Sequence, residues 1–170
     1  MNELQEFRLK VRQLDRNEPT NTGSLDSNII QVIPKTPPSG FVPTPPAYGD
    51  AGLDLRSAEE LTLRAHKTAL VGTGLSFEFP AGYVALVHPR SGLALNHGIT
   101  VLNAPGTIDS GYRGEIGVIL INTSDRDYKI KYGDKIAQVV FQRYRVPIIE
   151  VVSELSDSQR GEGGFGSTGY

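Results

Sequence analysis

Residues 104–121 decide how the chain is read: Ala104-Pro-Gly-Thr-Ile-Asp-Ser-Gly-Tyr-Arg-Gly-Glu-Ile116, then Gly117-Val-Ile-Leu-Ile121. Gly106, Gly111 and Gly114 supply the backbone freedom that a tight turn with φ > 0 requires, so the stretch predicts a β-hairpin with chemistry at its tip. Asp109 and Tyr112 would point to opposite sides of an extended chain, and a turn can bring them together. Ile116, Val118 and Leu120 alternate with Gly117, Ile119 and Ile121, the pattern of a strand apolar on both faces. A carboxylate and an aromatic ring beside a glycine turn suit a small planar ligand. An ordinary hairpin with a polar tip has the same pattern.

Composition narrows the classes. A chain of 170 residues favours one domain and suffices for a core. With 38% hydrophobic and 21% charged residues, it reads as a soluble globular protein. The net charge of −2 supplies no basic field, which argues against wholesale nucleic-acid binding. Having no cysteine excludes disulfides, thiolate metal sites and cysteine nucleophiles, and fits a reducing compartment. No signal-like start and no apolar run of membrane-spanning length are present, so the expected location is cytoplasmic, with no membrane contact.

Three segments follow along the chain. Residues 1–28 form an N-terminal extension: Leu4, Phe7, Val11 and Leu14 recur at helical spacing, and Asn17 to Asn28 reads as a polar linker. That short helix is either a surface element or a docking face for a partner protein. Residues 29–152 predict an all-β domain. Ile29 to Ile33 is its first strand, and the six prolines between Pro34 and Pro46 mark a stiff connector. Short alternating runs then recur about every ten residues, the spacing of a sandwich or barrel. They include Leu75/Phe77/Phe79, Tyr83 to Val87, Tyr128/Ile130, Ile136 to Phe141, and Val146 to Val152, the last carrying an edge-marking Pro147. Ser91 to His97 is the one helical candidate in this domain. Residues 153–170 are glycine-rich yet carry Arg160, Phe165, Ser167 and Thr168. An arginine, hydroxyls and glycine amides bind phosphate oxygens, and a phenyl ring stacks on a planar base, so the tail reads as a lid that orders over a nucleotide.

Five separated stretches fall into line: Ala51-Gly-Leu-Asp-Leu-Arg-Ser-Ala58, Pro89-Arg-Ser-Gly-Leu-Ala94, Gly106 to Ile116, Gly133-Asp-Lys-Ile-Ala-Gln138, and Arg160 to Gly169. In order and spacing they resemble the five motifs of the trimeric dUTPase family, over about residues 29–170. The resemblance implies a jelly-roll-like β fold and a homotrimer with active sites shared between subunits. It also implies Mg²⁺-assisted hydrolysis of dUTP to dUMP and pyrophosphate, a step of nucleotide metabolism that keeps uracil out of DNA and supplies dUMP. Carried over by position, Asp109 matches the carboxylate that activates the attacking water, and Tyr112 the ring against the deoxyribose. Asn103, Gly106 and Thr107 fall in the uracil slot, whose main-chain groups pair with the base; cytosine would leave buried polar groups unpaired at about 1–3 kcal/mol each. Arg90, Ser91, Gly92 and Gln138 match phosphate-facing residues, and Asp54 the aspartate that reaches the metal through water. Arg160, Phe165, Gly166, Ser167 and Thr168 match the lid. Arg113 is assigned to support of the hairpin or trimer.

Two rivals stand beside this reading. A dCTP deaminase on a related fold would release ammonia; it needs a glutamate at the pyrimidine, and Glu115 is the only acidic neighbour after the turn. A regulatory protein that senses dUTP would bind it without turnover. No Gly-x-x-x-x-Gly-Lys-Ser/Thr run exists, so a P-loop NTPase is excluded.

Overall fold

The computed structural model describes residues 30–34, 43 and 49–163. The helix and linker expected in residues 1–28, most of the proline connector, and Phe165, Gly166, Ser167 and Thr168 lie outside the described residues.

Eleven strands and one helix follow in order among the described residues: β1 Gln31–Pro34, β2 Leu53–Arg56, β3 Leu61–Leu63, β4 Thr68–Gly72, β5 Leu75–Glu78, β6 Tyr83–His88, α1 Ser91–His97, β7 Ile99–Val101, β8 Gly106–Asp109, β9 Gly117–Asn122, β10 Tyr128–Ile130 and β11 Lys135–Arg143. The all-β expectation is met, and the helical candidate falls where the sequence placed it. All described pairings are antiparallel. One sheet runs β2-β11-β6-β8, a second β4-β9-β7, and two strand pairs, β1-β5 and β3-β10, complete the fold.

One buried cluster draws on nearly every strand, with Leu55, Val71, Leu75, Leu120, Ile130 and Val139 at 1% exposure or less. Burying a side chain of this size contributes about 2–3 kcal/mol. Phe141 meets Phe77 and Phe79 edge to face, at 5.6 and 5.3 Å between ring centres. Asn122 is also wholly buried, and it is satisfied on both sides. Its Nδ2 donates to the carbonyls of Leu63 and Arg126, and its Oδ1 accepts from the Ser124 amide and hydroxyl. The polar run 122–127 is thus a turn pinned into the core by its first residue.

Three expectations are corrected. No hairpin forms at 106–121: β8 pairs with β6, and β9 with β4 and β7, so residues 110–116 cross from one sheet to the other. Strands adjacent in sequence found better apolar partners elsewhere. Gly106, Gly111 and Gly114 do not adopt positive φ, a role taken by Gly49, Gly74, Gly82, Gly98, Gly133 and Gly161 among the described glycines. Val146 to Val152 is not a strand. Its last tie to the sheet is the Tyr144 amide on the Gly82 carbonyl, after which Val146, Ile148, Ile149 and Val151 stand 79–98% exposed. A strand needs a neighbour's backbone, and no described part of the chain supplies one here.

Candidate active site

Two groups of predicted residues emerge, at different places on the four-stranded sheet. The first is built where β2, β11 and β6 run side by side. Gln138 lies opposite Asp54 on one side and His88 on the other. Beyond His88 the chain turns through Pro89 and Arg90 into α1. Arg90 Nε reaches Asp54 Oδ1 at 3.1 Å, and Lys135 Nζ takes Oδ2 at 2.6 Å. Arg90 Nη1 also donates to the Lys135 carbonyl at 3.1 Å. Gln138 Nε2 donates to the Pro89 carbonyl at 3.0 Å, fastening the corner that carries Arg90. Gly52 lies against it: a Cβ there would press on Gln138 Oε1, the far end of a flexible side chain.

The short helix is held from its far end. Gly98 ends it in the left-handed conformation, its amide turned back to the last carbonyls, while Thr123 donates to the Gly98 carbonyl through both amide and hydroxyl. His97 lies against Tyr128, ring centres 4.9 Å apart. Burial raises the Tyr128 hydroxyl above its ordinary pKa, the Asp134 charge adds to that, and Arg90 partly offsets it. Leu93 packs on the core while Leu95 is 87% exposed, so Ser91 and Gly92 sit exposed beside Arg90 on a helix anchored by one apolar side chain.

The second group runs from Asn103 to Tyr112. Gly106 is buried on β8, with the Asn103 amide beside it, and Thr107 is exposed. After Asp109 the chain turns, the Tyr112 amide donating to the Asp109 carbonyl at 3.0 Å. The Tyr112 ring lies over Gly114: a Cβ on that glycine would collide with the Tyr112 hydroxyl. The hydroxyl donates to the Glu115 carbonyl at 3.1 Å. Gly114 is therefore needed for room rather than for its φ. Arg113 braces the turn, donating to the carbonyls of Ser110 and Tyr112 and pairing with Glu78 at 3.1 Å. Asp109 itself is exposed, and its carboxylate has no hydrogen bond or ion pair among the described residues.

The two groups do not meet. Asp109 lies beside Val84 and Gln138 beside His88. Four residues of strand separate those rows, about 13 Å, with a further strand spacing on either side of β6. A general base must come within about 3 Å of the proton it takes, or act through one water. At that separation the Asp109 and Arg90 side chains of one chain cannot close on the same reacting atom. Arg160 joins neither group; its Nε donates to the Gly163 carbonyl at 2.7 Å. The sequence reading missed Lys135, Gly52 and the reason for Gly114. Lys135 stood inside a quoted motif, but nothing in its spacing pointed to Asp54.

The dUTPase family model matches residues 39–169. The deoxyuridine 5'-triphosphate nucleotidohydrolase of Clostridium novyi (strain NT) is 50% identical over 138 residues, 81% of this chain and 97% of that protein. Its counterpart from Picosynechococcus sp. is 51% identical over 135 residues, 79% of this chain and 95% of the relative. Among solved structures, a mutant dUTPase of Staphylococcus bacteriophage 80alpha with dUpNHpp superposes with a TM-score of 0.78 at 29% identity, covering 85% of this chain and all of that one. A mutant dUTPase from phage phi11 of S. aureus, reported with a structural Mg(II) ion, gives 0.70 at 27% identity, covering 76% of this chain and all of that one. A family model spanning all five motifs, and relatives matched over nearly their whole length, leave one reading: the chain belongs to the dUTPase family.

Proposed function

We propose that this chain hydrolyses dUTP to dUMP and pyrophosphate, in a homotrimer whose active sites each draw on more than one subunit. The observation that carries the shared site is the separation of Asp109 from the Asp54, Arg90 and Gln138 group. One subunit would present Asp109 and Tyr112 to the phosphate-facing group of another. The exposed apolar run 146–152 supports association, since it is a strand-like sequence without a strand partner among the described residues. A cytoplasmic location suits an enzyme acting on a free deoxynucleotide.

In this reading Asp109 orients a water and takes its proton as the water oxygen bonds to the α-phosphorus. The bond from that phosphorus to the bridging oxygen breaks, and pyrophosphate leaves. Asn103 and the main chain around Gly106 and Thr107 read uracil, and the Tyr112 ring packs on the deoxyribose. Arg90, Ser91, Gly92 and Gln138 face the phosphates. Arg160, Phe165, Gly166, Ser167 and Thr168 close as a lid and exclude water. The donor set fits a metal carried on substrate. Both Asp54 oxygens are already paired with cations, and no three acidic or histidine side chains among the described residues gather into a cage. Such a carboxylate suits an outer role toward Mg²⁺ that keeps its waters and leans on phosphate oxygens. When bound, the ion would draw charge from those oxygens.

Pyrophosphate release from dUTP, dCTP, dTTP and UTP with Mg²⁺ tests the reaction: turnover of dUTP alone is expected, ammonia from dCTP would favour the deaminase, and binding without turnover the sensor. Mixing inactive Asp109→Asn and Arg90→Ala subunits by unfolding and refolding tests the sharing. Random assembly makes about one site in four whole, so activity should return. A mixture as dead as its parts would put the site within one chain.

A further inference from the structure

We propose that Lys135 is a positioning residue for the triphosphate: by occupying one oxygen of Asp54 it stops that carboxylate from closing on both arms of Arg90, and so keeps the outer edge of the guanidinium for phosphate. This rests on the reading above that Arg90 faces the phosphates. An arginine and an aspartate left to themselves favour the fork-to-fork pair with two parallel hydrogen bonds. Here the pair has one link, Nε to Oδ1, because Lys135 Nζ holds Oδ2 at 2.6 Å. The second hold on Arg90 also comes from Lys135, whose carbonyl accepts Nη1 at 3.1 Å. Nη2 has no partner among the described residues. One residue thus fixes the guanidinium from two directions and leaves its outer N–H groups unspent.

The backbone is shaped for this. Gln138 pairs directly with Asp54, so strict alternation would give residue 136 the same face as Asp54 and turn Lys135 away. The register between β11 and β2 shifts between Lys135 and Ala137 instead. A bulge of this kind re-aims a side chain. Ile136 is buried in the core beside Ala137, and the Lys135 side chain comes to Asp54, each side chain only about 40% exposed.

The test is binding of dUpNHpp and of dUMP, each with Mg²⁺, to the full-length protein. Lys135→Met should weaken dUpNHpp about tenfold, the size of one lost charge-assisted hydrogen bond, and leave dUMP binding unchanged. Lys135→Arg should restore most of it, since an arginine can still take Oδ2. In an Asp54→Asn background, Lys135→Met should cost nothing further, because Lys135 acts through that carboxylate. An equal loss in both backgrounds would make Lys135 a direct phosphate contact and overturn the positioning role. So would wild-type affinity in Lys135→Met, or a loss shared equally by dUMP. Failure of the wild type to turn over dUTP would count against the proposed reaction and is read separately.

Discussion

Around Asp54 the side chains are tied to one another, whereas around Asp109 the main chain is tied and the carboxylate has no partner among the described residues. Arg90, Lys135 and Gln138 each spend hydrogen bonds on the fold itself, across three adjacent strands. At the turn, Arg113 and the Tyr112 amide hold the backbone, and the Asp109 carboxylate is exposed, with no partner among the described residues. Under the proposed function, the difference suits each group to its task. A phosphate-facing group gains from being fixed beforehand, because its charges are then oriented at no further cost when the ligand arrives. A base must keep its lone pairs for water, and a chain that satisfied them internally would disarm it.

The comparison can be broken most directly at its reactive end. Asp109→Asn should lower dUTP turnover about 10²–10⁴-fold while the thermal midpoint stays within about 2 °C, since its carboxylate makes no bond to the described residues. Parallel rate and melting measurements check this, and a large fall in melting temperature would mean that the carboxylate is a structural brace after all. Gly114→Ala should come next. Its Cβ would collide with the Tyr112 hydroxyl and two ring carbons, so the ring must leave its seat on the Glu115 carbonyl. KM for dUTP is expected to rise about tenfold and the preference over UTP to shrink, with a stability cost of about 1–2 kcal/mol. Unchanged discrimination against UTP would remove Tyr112 from sugar selection. The smallest effect is expected in the fastened half. Gly52→Ala displaces only the end of a flexible side chain, and losing the Gln138 to Pro89 bond costs about 1 kcal/mol, or roughly fivefold in kcat/KM. A loss as deep as that of Asp109→Asn would show that the corner at Pro89 tolerates no slack.

Much of this was legible from residues alone, for identifiable reasons. Period-two alternation in Leu75/Phe77/Phe79 and Tyr128/Ile130 reports burial on one face of a sheet, and those strands formed where expected. Leu93 and Leu95, too close to share a helical face, did divide between core and solvent. The motif residues were found because their order along the chain is itself a signal. Pairing was not legible, since β8 and β9 chose partners far away in sequence by the apolar faces those partners offered. Nor was the reason for Gly114, which depends on where the Tyr112 ring comes to rest.

By itself, then, the sequence determined the all-β class, the identity of the motifs and the chemistry each side chain can offer. These depend on local periodicity and on residue type, which are written in the order of the chain. Tertiary structure alone decided that Asp109 stands apart from Arg90, that a register shift carries Lys135 to Asp54, and that Val146 to Val152 has no strand neighbour among the described residues. Each of those is a relation between segments distant in sequence, set when hydrogen-bonding edges and apolar faces compete for partners in the folded chain.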